Sequence, residues 1–387
     1  MSARIYLLAA GAFSVGTSAY VISGVLPAVS SELHVSLTAA GLLATAFALS
    51  YAIGAPLLAT LAGRWERRTL LVAALVMAAA GNAISAVATT YPLLVGGRVV
   101  AALGAAAYTP AATLFATGLL PPAERGRAIA IVFGGLTFAL VLGVPAGTLL
   151  GGSIGYHGVF GLVALICALV AVAVQLALPR VDAPPVVGIR ERFAVAGDRR
   201  ALTMLAVTVL GVLGVMSNYV YIVPLLRATA ALDGTTISVV LLAYGVGGVV
   251  GNAIGGRATD RYGDLRTLYV SLGGFMIMMA TLPFTATTAV GAALALFVWA
   301  VFTWMFNPPV QSLLLSLSPQ GGLLISLNAS AIYFGVALAG VVGGAVISLA
   351  GVTVLPAVGT ALGLVVVALM LSLRRDLAAT RRELVSA

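Results

Sequence analysis

Residues able to move protons or hold ions are few in this chain, and they stand apart from its apolar stretches. The 11 carboxylates fall at positions 32, 66, 124, 182, 191, 198, 233, 260, 264, 376 and 383, each at the end of an apolar run or between runs. His34 and His157 occupy similar places, and the single Cys167 lies inside a run, which excludes a disulfide framework and a cysteine metal site. No His, Cys, Asp or Glu cluster falls at a shared depth, so the pattern offers neither an enzyme's catalytic constellation nor a metal or cofactor site. Arg98 is the one charge well inside an apolar run, and a charge there marks a functional position because its burial is costly. Neutral polar groups recur at helical spacing: Asn218 with Tyr221, Asn307 with Gln311, and Ser326, Ser330 and Tyr333 at i, i+4, i+7. Joined by Tyr20, Tyr108, Trp304 and Asn328, these amides, hydroxyls and rings suit a neutral or weakly anionic organic solute. A lipophilic dication would need a buried carboxylate to offset its desolvation.

The elements that must position these groups are membrane helices. The 387 residues are 61% hydrophobic and 8% charged, which places the chain in the lipid bilayer. Apolar runs long enough to cross a hydrocarbon core of roughly 30 Å recur from about 5–28 to about 352–373, twelve in all. They are too long and too uniformly apolar for the alternating strands of an outer-membrane barrel. All 20 basic residues are arginine, and a cytoplasmic N-terminus puts 18 of them on the cytoplasmic side, leaving Arg227 outside and Arg98 within a helix. That asymmetry argues against nucleic acid as the partner of the net charge of +9, and it fixes both termini in the cytoplasm.

The polar segment 180–200 divides a six-helix half, 1–179, from a second, 201–373, with a cytoplasmic tail over 374–387. Landmarks in the halves repeat at one offset: Pro27 and Pro224, Arg64 and Arg261, Gly143 and Gly340, and Gly147 and Gly344 all lie 197 residues apart. Parallel six-helix halves around a central site are the layout of alternating-access carriers. Gly143, Gly147 and Gly151, with Pro145 between them, leave one helix face bare for a close crossing. In the loop GRATDRYGDLR, Gly256 and Gly263 let the chain turn, and Asp260 can bond a helix N-terminus or pair with an arginine. The corresponding loop, LAGRWERRTLL, keeps Arg64, Arg67 and Arg68 but has Glu66 in place of the second glycine. These arginines also serve as topology anchors.

The spacing of Gly256, Asp260, Arg261 and Gly263 resembles the cytoplasmic loop signature of the major facilitator superfamily, and Arg98 with its small-residue sequel resembles that family's fourth helix. Gly16, Thr17 and Ser18 with Gly24 and Pro27, then Gly54 and Pro56, Pro145 within its glycine stripe, Asn307, Pro308, Pro309 and Gln311, and Ser326 with Asn328, resemble its 12-helix drug:proton antiporter branch, near sugar-efflux and arabinose-efflux proteins. The resemblance implies a fold of two six-helix halves, a pathway lined by helices 1, 4, 7 and 10, and a loop latch on the cytoplasmic side. Relatives of this type carry GTSEF in helix 1; here Ala19 stands in place of the glutamate, followed by Tyr20.

The expectation is therefore a monomeric carrier in the bacterial inner membrane, exporting a drug-like or sugar-like small molecule. Protons, if coupled, would use Glu32, His34 or His157 at the outer rim, histidine being the side chain that changes charge near neutral pH. The alternatives are an uncoupled facilitator and a sensor that retains the fold without turnover.

Overall fold

The computed structural model describes residues 3–62, 65–118, 125–181, 198–317 and 321–386. Arg64, of the expected latch, and residues 182–197, the bulk of the expected linker, lie outside them, as does the side chain of Ser326. All regular structure among the described residues is helical: α1 (Ala3–Tyr20), α2 (Ile22–Glu32), α3 (Leu37–Leu61), α4 (Arg67–Val87), α5 (Tyr91–Gly118), α6 (Arg125–Ala177), α7 (Arg199–Tyr219), α8 (Ile222–Ala230), α9 (Gly234–Tyr262), α10 (Asp264–Thr285), α11 (Ala289–Met305), α12 (Asn307–Leu317), α13 (Gly321–Ala350) and α14 (Leu355–Ser386).

Polar caps start several of these helices where the apolar runs begin. Ser36, Asp233 and Thr288 each accept a hydrogen bond from the backbone N–H three residues on, at 3.1, 2.7 and 3.1 Å, and Asp198 accepts one from Arg200 at 2.8 Å. With 53 residues, α6 is about 80 Å long, far more than one crossing needs. It turns at Gly155, whose φ of +63° is open to glycine at little cost. Among the described residues ten helical stretches are long and apolar enough to cross a bilayer. The pair α1 and α2, bent by 41° at Val21, is an eleventh, and the turn in α6 makes twelve, so both termini lie at one end of the bundle. Leu176, Phe284 and Leu349 are among the large side chains exposed on its outer surface, as hydrocarbon solvent requires.

Three crossings that read as single runs are broken. One breaks at Val21, another between α7 and α8 at Val220 and Tyr221, and a third between α11 and α12 at Phe306. The last has a local cause, since Pro308 and Pro309 lack the N–H that would continue the ladder into α11. The others are held by neighbours. A Cβ on Gly147 would lie 2.9 Å from the Val21 carbonyl oxygen, so α6 presses directly on the first break.

The halves meet along three seams: α3 with α13, α6 with α9, and α2 with α8. Thr38 donates to the Gly344 carbonyl at 3.1 Å and lies 3.0 Å from the Ser348 hydroxyl, while Thr45 donates to the Ala337 carbonyl at 2.8 Å. Further down the same seam the Tyr51 and Tyr333 rings stack. Val141 of α6 packs on Gly245 of α9. Pro145 cannot bond the carbonyl of Val141, which leaves α6 pliant at this crossing. The seams are thus closed at the end remote from the termini.

Candidate substrate cavity

Below the seams the halves separate around a cavity of about 1890 Å³. It extends from Tyr20, Ser23 and Val220 at mid-helix level to Arg67, Leu70 and Leu315 near the end that bears the termini. Most of its wall is aliphatic, with Tyr20, Tyr51, Tyr219, Tyr333 and Trp304 supplying rings and Thr109, Asn252, Asn307, Gln311, Asn328 and Ser330 supplying polar groups. Among the described lining residues none is acidic, and the one charge is Arg67 at the mouth. Ala19, at the position of the missing glutamate, faces this space.

Of the residues expected to bind substrate, Tyr20, Trp304, Asn307, Gln311, Asn328 and Tyr333 line the cavity. Asn328 is fixed there by Thr208, which donates to its side-chain oxygen at 2.7 Å. The other four lie outside the lining, each with a structural occupation of its own. Arg98 is fully buried, its guanidinium 4.5 Å from the Phe47 ring centroid and 5.4 Å from that of Phe160. Its Nη1 donates to the Ser18 carbonyl at 2.8 Å, next to the break at Val21 where the helical ladder lapses. Nearby, Ser18 and Asn82 bond each other through their side chains. Tyr108 is buried against α1, its hydroxyl donating to the Leu8 carbonyl at 3.0 Å. Asn218 turns to its own helix, donating to Gly214 at 3.1 Å. Tyr221 plugs the seam between α3 and α13, donating to the Gly340 carbonyl at 2.9 Å and lying against Gly41.

Val212, Val215, Met216 and Tyr219 form the cavity face of α7, so the adjacent Asn218 points away from it, and Tyr221 lies past the break. Tyr20 ends α1 and Tyr219 ends α7, each followed by valine and a break. This correspondence has an offset of 199 rather than 197, and it is the signal that would have found Tyr219. Tyr51 carries no comparable signal, because its position matters only through the partner on α13.

The gating candidates occupy distinct places. Gly143 and Gly147 pack on Thr17, Val21 and Gly24 within their own half, whereas Gly340 and Gly344 pack across the seam on Thr45, Gly41 and Thr38. The shared offset therefore conceals different partners. In the second-half loop Asp260 and Arg261 are exposed, the Arg261 guanidinium lies 5.3 Å from the Tyr262 ring centroid, and Asp260 forms no ion pair among the described residues. Gly263 adopts φ +84° between α9 and α10, and Gly256 has open space around it.

In the first-half loop Glu66 accepts from Arg68 N–H at 2.8 Å, Thr69 N–H at 3.0 Å, the Thr69 hydroxyl at 2.7 Å and Val181 N–H at 3.0 Å. Burial pushes its carboxyl up, but the bonds from Thr69, Val181 and Arg68 outweigh that and hold it at about 2. Arg68 donates to the Leu178 carbonyl at 3.2 Å. Glu66 and Arg68 therefore bind the start of α4 to the end of α6, inside one half, instead of latching the two halves.

At the far end Glu32 and His157 come together, Oε2 to Nε2 at 3.7 Å, and His157 Nδ1 lies 2.7 Å from the Ala86 carbonyl. His34 stands apart in the exposed turn after α2, with φ +52°.

A bundle of twelve crossings whose halves enclose one large cavity defines a polytopic membrane carrier. The profile described as Major Facilitator Superfamily matches residues 8–322 and 204–386; the chain belongs to that superfamily and is one of its transporters. It is similar to the inner membrane transport protein YdhP of Escherichia coli (strain K12), with 32% identity over 374 residues and 95% of each chain covered. A chloramphenicol resistance protein of Streptomyces lividans is 37% identical over 266 residues, 67% of this chain and 68% of that one. The crystal structure of a D-xylose-proton symporter superposes with a TM-score of 0.75 at 16% identity, covering 95% of this chain and 96% of that one, a likeness of fold alone.

Proposed function

We propose that this transporter exports an uncharged or weakly anionic small organic molecule across a bacterial inner membrane, with chloramphenicol as the first compound to try. The observation that carries this reading is the cavity wall, aromatic and amide-rich with no carboxylate among its described residues. Such a wall gains from apolar area and neutral hydrogen bonds and offers nothing to offset a buried cation. The likeness to the Streptomyces lividans chloramphenicol resistance protein supports the same class. The arginine asymmetry supports a cytoplasmic location for both termini, which makes the cavity mouth the loading side of an exporter.

Rocking about the seams would then close the mouth and open the far end, with Asp260, Arg261 and Arg67 at the closing face. Proton antiport is part of the proposal, supported by the Glu32 and His157 pair at the rim that must open. The test is counterflow of labelled chloramphenicol into proteoliposomes holding the pure protein, followed by net entry of chloramphenicol down its gradient with a pH-sensitive dye inside. Saturable counterflow, and net entry accompanied by opposite proton movement, are the expected results. Net entry without proton movement would replace antiport by uncoupled transport, and binding without counterflow would remove transport of this compound.

A further inference from the structure

The second half presents a corner of aromatic groups with much of its hydrogen-bonding capacity unused. Tyr219 and Tyr244 lie with ring centroids 4.6 Å apart, and Trp299 meets Tyr244 edge-on at 5.0 Å. Trp304 completes the group, lying so close to α9 that a Cβ on Gly248 would come within 3.0 Å of its indole. The Tyr219 hydroxyl, the Trp299 indole nitrogen and the Thr303 hydroxyl are buried without a hydrogen-bond partner, while the Tyr244 hydroxyl and the Trp304 indole nitrogen face each other short of ideal geometry. Native interiors seldom leave even one such group unsatisfied, and three in one corner point to a ligand that supplies what the protein withholds.

The chemistry of that ligand follows from the inventory. An indole N–H can only donate, and a tyrosine hydroxyl both donates and accepts, so the corner has an excess of donors. Tyr219, Trp304 and Thr303 line the cavity wall, so the corner abuts the space a solute would occupy. Tyr20, from the first half, also lines the cavity and packs against the same cluster. Electron-rich rings here favour a flat electron-poor partner.

The geometry points to a subsite, formed on the cavity wall by Tyr219, Thr303 and Trp304 and backed by the buried rings of Tyr244 and Trp299, that recognises the acceptor-bearing aromatic end of an uncharged solute, such as a nitrophenyl group. This deepens the proposed function and rests on its assignment of the cavity as the solute site. It implies selection for hydrogen-bond acceptors on an aryl ring over donors at the same position, because a donor placed there would leave the indole and hydroxyl hydrogens unmet.

The test uses the full-length protein with Trp65→Phe, so that emission comes from Trp299 and Trp304. Titration calorimetry would compare chloramphenicol with its analogue whose nitro group is reduced to an amine. The expected result is at least tenfold weaker binding of the amine, with indole emission quenched by the nitro compound. Tyr219→Phe, Thr303→Val and Trp304→Phe keep most of the side-chain volume and remove one donor, and each should weaken the nitro compound three- to tenfold while leaving the amine unchanged. Equal affinity for the two probes, unchanged affinity in all three variants, unquenched emission, or no binding of either probe would each overturn the subsite. Discrimination without counterflow would uphold the subsite and remove transport of the compound, so the two failures are distinguishable.

Discussion

Tyr51 of α3 lies flat on Tyr333 of α13, ring centroids 3.6 Å apart and planes 17° apart. The residues belong to different halves, and their stack is where the seam from Thr38 and Ser348 gives way to the cavity. An aromatic pair of this kind contributes about 0.5–1.5 kcal/mol beyond its buried area. Replacing Tyr333 by Leu should therefore shift the balance of states toward far-end opening by roughly 2- to 10-fold. In a Cys167→Ser background, a cysteine pair introduced at Thr38 and Ser348 reports this directly. Cross-linking should be efficient with Tyr333 present and slower by that factor in Tyr333→Leu, and an unchanged rate would show that the stack does not hold the seam.

Arg98 invites a structural prediction. Its bond to the Ser18 carbonyl satisfies an oxygen beside the break at Val21, and its guanidinium is enclosed by Phe47 and Phe160. Hydrogen bonds to charged groups contribute about 1.5–3 kcal/mol. Arg98→Met should lower the melting temperature of the purified protein by a stability loss of about that size, yet leave solute affinity within about twofold, since Arg98 is not part of the cavity wall. Lysine, a point charge without the planar fork, should rescue only partly. A large loss of affinity at unchanged melting temperature would reverse the assignment.

How much of this was legible in the sequence depends on where each constraint resides. Run length and the arginine asymmetry are properties of the chain facing lipid, so the twelve crossings could be read in order. The break at Phe306 was readable in principle from Pro308 and Pro309. The break at Val21 was not, because Gly147 of α6 and Arg98 of α5 sustain it from outside. Helical spacing placed Asn218 and Tyr221 together on the pathway, whereas the cavity face of α7 runs through Val212, Val215, Met216 and Tyr219, and Tyr221 lies beyond the break. Glu66 illustrates the same limit in a loop: the sequence shows only that it replaces a glycine, whereas its partners, Arg68, Thr69 and Val181, are set by the fold of one half.

Glu66 also predicts a pH dependence with a definite sign. Its carboxyl is held at about 2 in the folded protein, against roughly 4.3 for an unperturbed glutamate. A lowered folded value adds stability above the unfolded value, and that stability is lost as pH falls toward the folded value. The difference in melting temperature between the wild type and Glu66→Gln should be largest at neutral pH, narrow below about pH 4.5, and vanish near pH 2. Because the group is partly exposed, solvent screening keeps the difference small. A difference independent of pH across that window would exclude the charge as its source.

Ala19 provides the sharpest test of how the cavity selects solutes. It faces the cavity beside Tyr20, at the position where the resemblance of helix 1 to the drug:proton antiporter branch implies a glutamate. Ala19→Glu would put one carboxylate into a wall that has none among its described residues. With water filling the open cavity, the carboxylate can ionise when the mouth is open and must be neutralised, by a proton or by a cation, when the halves close around it. The variant should therefore bind a lipophilic monocation such as tetraphenylphosphonium at least tenfold more tightly than the wild type, a change of about 1.4 kcal/mol. Its affinity should fall as pH drops through the carboxyl's titration range. Chloramphenicol affinity should change by less than about threefold, because no neutral group of the wall is removed. Equilibrium dialysis of the labelled cation against wild type and variant measures the gain. Equal cation binding by the two proteins would show that the wall excludes cations by shape, and that the missing acid is not what sets the charge of the solute.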